Sequence, residues 1–114
     1  MNTNQAQTLI KEFCQNRDWD QFHDPKELAI GMSTEANELL SLFRFLDKKQ
    51  TLVALNEKKE LIEDELMDVL FFVLRFAQLY HVDIDEAFQR KMALNDIKYP
   101  VSLVKGKNKK YNEY

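Results

Sequence analysis

Only two glycines, Gly31 and Gly106, and two prolines, Pro25 and Pro100, interrupt 114 residues. A chain of short strands needs a turn roughly every 8–12 residues, and turns draw heavily on these two residue types, so this sequence is committed to long helices. The apolar spacing agrees. Leu9, Ile10, Phe13 and Cys14 form one side of a first helix, expected from about Asn4 to Gln15. Residues 17–23 read as a linker. Asp24-Pro25-Lys26-Glu27 then supplies an N-cap acid, proline at the first helical position and glutamate at the third, so a second helix should begin at Pro25. From there Leu28, Met32, Glu35, Leu39, Leu42 and Leu46 advance by alternating fours and threes, which places all six on one stripe.

After a polar turn at 47–50 and a short apolar segment, Leu52 to Leu55, Asn56 is positioned to cap a third long helix reaching about Tyr80. Its stripe is Leu61, Glu65, Asp68, Phe72, Phe76 and Leu79, with Ile62, Leu66, Val69, Val73 and Tyr80 on an adjoining face. Asp83-Ile84-Asp85-Glu86 repeats the capping pattern and opens a fourth helix, which proline stops at Tyr99-Pro100. The expectation is an all-α chain: a four-helix bundle over residues 1–104 and a basic tail over 105–114. The third helix is apolar over a wider arc than one such subunit covers, which predicts a homo-oligomer, a dimer or a tetramer.

The formal net charge of −3 argues against binding to a nucleic-acid polymer, whose partner domain is usually basic. Cys14 is the only cysteine, so no internal disulfide can form, and its apolar helical neighbours mark it as a buried structural thiol. The longest purely apolar run, Val69 to Leu74, is far short of the roughly 20 residues that span a bilayer. The first residues carry neither a basic leader nor a long apolar run, and a cytoplasmic location is expected.

Within this frame two pairs of carboxylates stand out. Glu35 and Glu38 are three apart on one helix, Glu65 and Asp68 three apart on another, so the members of each pair project side by side. Three of the four lie on or next to a core-facing stripe, where an unpaired carboxylate costs several kcal/mol or stays protonated. A divalent cation resolves the conflict, and an oxygen-only ligand set favours Mg²⁺ or Mn²⁺ over zinc. Glu63 and Asp64 fall in a more exposed phase and read as surface residues. A di-iron bundle would add a Glu-x-x-His pair on each of two helices, and neither His23 nor His81 follows a glutamate by three.

Glu35-Ala36-Asn37-Glu38 followed by Glu65-Leu66-Met67-Asp68 resembles the metal-binding signature of the MazG-like all-α nucleoside triphosphate pyrophosphohydrolases. The stretch Arg17-Asp18-Trp19-Asp20-Gln21-Phe22-His23 with Pro25-Lys26 resembles the segment before that signature in the dCTP pyrophosphatase branch, and Lys91-Met92, Asn95 and Tyr99-Pro100 resemble the segment after it. The Lys105-Gly106-Lys107 tail with Lys110-Tyr111 is similar too. The resemblance implies hydrolysis of a nucleoside triphosphate between its α and β phosphates, with the four carboxylates as metal ligands and catalytic groups. It implies phosphate contacts for Lys91 and Asn95, and a base slot involving Trp19. Trp19, Phe22, His23, Phe45 and Phe72 are the residues expected around that slot.

Phe45 stands where the branch often has tryptophan, Ser41 where it often has an acid, and Phe72 where it often has tyrosine. These departures leave the preferred base open, with dCTP expected first and dATP admitted by a wider slot. Normal deoxynucleotides and modified ones removed in house-cleaning both remain as natural substrates. Lys105, Lys107 and Lys110 either fold over bound phosphates or form a solubilising tail. Arg75, on the most apolar helix, is expected to anchor subunit packing or a buried carboxylate. The competing class is a non-catalytic metal-binding oligomerisation module; retention of all four carboxylates, three of them on or next to a core-facing stripe, favours the enzyme.

Overall fold

The computed structural model describes residues 1–108, and Lys110 and Tyr111 lie outside the described residues. Side-chain caps start four of the six α-helices among the described residues. Helix α1 (Thr3–Asn16) opens on a capping box: Asn2 Oδ1 accepts from the Gln5 amide at 2.9 Å and the Gln5 side chain accepts from the Asn2 amide at 2.8 Å. A single 3₁₀ turn, Asp20–Phe22, lies in the linker. Helix α2 (Pro25–Ser41) starts as the sequence indicates, with Asp24 Oδ1 accepting from the Glu27 amide at 2.8 Å.

The next segment corrects the sequence reading. Residues 48–57 are neither a turn nor a short apolar run but a ten-residue helix, α3 (Lys48–Glu57), and Asn56 lies inside it. Its cap is Asp47, in a second capping box with Gln50 at 2.7 and 2.9 Å. The Asp-x-x-Gln signal was present but its residues also read as a polar turn, and the short apolar stretch concealed the helical period. Helix α4 (Lys59–Leu79) begins after Lys58 alone. Asp83 caps α5 (Ile84–Lys98), whose last turn closes where the Tyr99 amide donates to Asn95 O before Pro100. A one-turn helix, α6 (Val101–Val104), is too short for periodicity to reveal. The four long helices expected are thus α1, α2, α4 and α5, joined by two shorter ones.

The chain divides into two compact units, Met1–His81 and Val82–Tyr114. In the first, α4 is the central element: α2 packs along it, and α1 and α3 also rest on it. Ile10, Cys14, Leu28, Ala54, Leu74 and Ala77 form the buried core. Complete burial of Leu28 contributes about 1.5–3 kcal/mol. The α2–α4 contact depends on Gly31, because a Cβ there would stand 2.4 Å from Cε1 of the Phe72 ring. Leu66, Met67, Leu70 and Val73 of α4 stay exposed. In the second unit α5 buries none of its side chains, and Phe88 and Ile97 are exposed.

Candidate active site

Glu35 and Glu38 leave the same face of α2, and Glu65 and Asp68 the same face of α4, so the packing of these two helices sets the site. Glu35, Glu38 and Glu65 converge until one carboxylate oxygen of each lies within 4.8 Å of the others. Asp68 is exposed and outside this tight trio, but its charge acts on both Glu35 and Glu65.

Glu35 and Glu65 are half-buried, and in each Oε2 is sealed from solvent without a hydrogen-bond partner. Among the described residues no lysine or arginine forms an ion pair with any of the four carboxylates; the ion pair found is Arg75 with Asp20. Burial, then the adjacent Glu38, and then the charges of Asp68 and Glu65 push Glu35 up to about 7. Glu65 is raised as well, by burial first and then by Glu38, Asp68 and Asp64. Ionised, neither orphan oxygen has a donor; protonated, Glu35 or Glu65 can hydrogen-bond to Glu38, which is why a proton is held so firmly. Sealed, unsatisfied acceptor oxygens in a cluster of like charge fit a hard divalent cation, which Glu35, Glu38 and Glu65 would hold in place of that proton.

One turn beyond Asp68, α4 carries Phe71 and Phe72. Their rings stand 5.3 Å apart, Phe71 meets Phe13 at 6.1 Å, and Phe13 meets Trp19 at 5.4 Å, all edge to face. A hollow of about 260 Å³, lined by Leu9, Ile10, Phe13 and Phe71, opens along this row. Trp19 also meets the His23 ring at 6.3 Å. His23 Nδ1 accepts from Nε of Arg75 at 3.0 Å. Arg75 is 1% exposed and also donates to Gln78 Oε1 at 2.8 Å and to Asp20. The carboxylate it anchors is therefore Asp20, whose side chain is 47% exposed.

The structure joins Trp19, His23 and Phe72 through Phe13 and Phe71 but leaves two other expected slot residues apart. Phe22 is exposed and, among the described residues, makes no ring contact. Phe45 is 89% exposed and held at φ 68°, in the left-handed region, with its ring under the Arg44 guanidinium at 4.7 Å. Lys91 and Asn95 lie in the second unit, one turn apart on α5, Lys91 exposed and Asn95 half-buried. Lys105 and Lys107 come after α6; Lys110 lies outside the described residues.

Sequence reasoning missed Gly31, Phe13, Phe71 and the partners of Arg75. Gly31 had a signal: glycine inside a helix costs about 1 kcal/mol relative to alanine and so points to a close packing contact.

Comparison with known proteins agrees with the all-helical fold. The chain is 36% identical over 107 residues to dCTP pyrophosphatase 1 of Rattus norvegicus and 33% identical over 107 residues to that of Homo sapiens. Each alignment takes in 92% of this chain, and the chain spans 63% of each relative's length. A crystal structure of a pyrophosphatase from Archaeoglobus fulgidus superposes with a TM-score of 0.82 at 33% identity, over 85% of this chain and 91% of that one. The profile of the MazG nucleotide pyrophosphohydrolase domain matches residues 24–95, more than half of the chain and the whole span from the cap of α2 past both carboxylate pairs. The chain belongs to the MazG nucleotide pyrophosphohydrolase family.

Proposed function

We propose that this protein hydrolyses (deoxy)nucleoside triphosphates, dCTP first and dATP second, to the monophosphate and pyrophosphate in a Mg²⁺-dependent reaction. The observation that carries the reading is the convergence of Glu35, Glu38 and Glu65 with two sealed, unpartnered oxygens beside Asp68. These four would hold Mg²⁺, with Mn²⁺ as a substitute, and the bound ion supplies neutralisation of phosphate charge and acidification of a water. The chain's own contribution is positioning: α2 and α4 hold the carboxylates side by side, and Glu35, pushed up to about 7, would give up its proton where a cation is held.

The aromatic row of Trp19, Phe13, Phe71 and Phe72 offers stacking faces and the apolar hollow beside it few hydrogen-bond groups, so slot size and the sugar select the nucleotide as much as base edges do. The names of the mammalian relatives support the choice of dCTP as the first proposed substrate. Lys91 and Asn95 serve as phosphate contacts, and Phe22 and Phe45 complete the slot in the assembled protein. Residues 1–104 form the catalytic domain and 105–114 a basic tail. The assembly is a dimer or tetramer, supported by the exposed Leu66, Met67, Leu70 and Val73 on α4 and Phe88 and Ile97 on α5. The reaction is cytoplasmic; no helix among the described residues is long and apolar enough to cross a membrane.

A panel of nucleoside triphosphates with and without Mg²⁺, monitoring pyrophosphate and identifying the nucleotide product, tests the reading. Orthophosphate with a diphosphate product, or turnover indifferent to chelation, contradicts it. Light scattering tests the assembly, and a stable 13.6 kDa monomer at micromolar concentration contradicts that part.

A further inference from the structure

Arg75 is charged, almost fully buried and outside the carboxylate cluster, in a helix where an apolar side chain would fill the same space without desolvating a guanidinium. Its bonds divide into two kinds. The pair with Asp20 fastens the linker to α4, a task shared by Tyr80, whose hydroxyl donates to His23 O at 2.6 Å. The bond from Arg75 Nε to His23 Nδ1 does something else, because the backbone is already held and this contact acts only on the imidazole ring.

A guanidinium N–H is always a donor, so Nδ1 must present its lone pair and cannot carry a proton. The neutral ring then bears its proton on Nε2, on the side turned away from Arg75. An imidazolium would set two N–H groups against each other. Burial first, then the charge of Arg75, lower the His23 pKa below its ordinary value, with Asp20 opposing. Among the described residues no protein group accepts from Nε2. The ring stands edge to face with Trp19, at the end of the aromatic row.

We infer that Arg75 is a positioning residue: it holds His23 as an Nε2–H donor beside the Trp19 ring, and so gives the site a preference for nucleotides whose base carries a hydrogen-bond acceptor. The inference rests on the reading of the aromatic row as the base slot. It supplies the one directional contact that an apolar hollow lacks.

The test compares wild type, Arg75→Met, His23→Phe, the double variant and Trp19→Ala on two substrates with Mg²⁺: dCTP, and a deoxynucleoside triphosphate with a hydrocarbon ring in place of the base. Both single variants should lower kcat/KM for dCTP by roughly tenfold more than for the hydrocarbon analogue, and the double variant should lose no more than either single. Equal losses on both substrates in Arg75→Met, or additive losses in the double variant, overturn the role of Arg75. Trp19→Ala should weaken both substrates; if it changes neither, the base-slot reading itself falls. Should Arg75→Met not fold, ¹⁵N NMR of wild-type His23 decides: Nε2 protonated with Nδ1 bare is required, and a proton on Nδ1 overturns the inference.

Discussion

Loading the site with Mg²⁺ at neutral pH should expel protons, and the number is set by Glu35. A carboxyl pushed up to about 7 is half-protonated at pH 7, so a cation that needs it ionised displaces about 0.5 proton there, about 0.9 at pH 6 and about 0.1 at pH 8. Glu65, raised by the same burial and neighbours, belongs to the same coupled titration. Below pH 7 the apparent Mg²⁺ affinity should weaken by about tenfold per pH unit for each proton displaced. Titration calorimetry in two buffers of different ionisation enthalpy counts the protons directly. The reasoning fails if no proton is released at pH 6 and the affinity is flat from pH 6 to 8. The metal-free protein carries the same linkage with a fixed sign. Because the folded-state pKa of Glu35 lies above its ordinary 4.5, its favourable contribution is full below about 4.5 and is lost as pH rises through about 7. In chelator, wild type should therefore lose melting temperature relative to Glu35→Gln between pH 5 and 8.

Gly31→Ala gains about 1 kcal/mol of helix propensity, yet its new methyl must displace the Phe72 ring; the net result in urea unfolding should be a loss of about 1–3 kcal/mol, and equal or higher stability would show that ring to be loosely seated. Asp20→Asn removes the charged partner of buried Arg75. Because Asp20 is itself 47% exposed, water replaces part of the lost contact, and a loss of about 1–3 kcal/mol in the same assay is expected rather than the 3–5 of a fully buried pair. Phe45→Trp should depress dATP turnover more than dCTP turnover, by roughly tenfold in their ratio, and equal effects would remove Phe45 from the base slot.

The parts of this structure legible in the sequence are those whose cause is local. Asp24 and Asp83 announced α2 and α5 because an N-cap and its acidic first turn sit within one short window. Glu35 and Glu65 were conspicuous because a charge on an apolar stripe is costly wherever the stripe packs, and the sealed oxygens are that cost made visible. Asp47 was misread because the same residue types open a helix or close a turn, and only the register of Gln50 separates the two. The contacts of Arg75 with His23 and Asp20 span 52 and 55 residues, and no period or spacing rule reaches across such a distance. The aromatic row has the same character. Trp19 and Phe72 were both named, but Phe13 and Phe71, which join them, were indistinguishable in sequence from ordinary core residues.

The central claim is that the four carboxylates exist to hold a catalytic cation. Pyrophosphate release from dCTP at saturating Mg²⁺, measured for wild type, Glu38→Gln, Glu65→Gln and Asp68→Asn together with the helical circular-dichroism signal of each, tests it most directly. Each substitution should lower turnover at least about a hundredfold with the helical signal intact and the metal-free melting temperature no lower than that of wild type, since removing one of several clustered charges offsets the lost contact. Near-wild-type turnover in two of the three, or a large loss of metal-free stability, would contradict it and mark the cluster as a structural network.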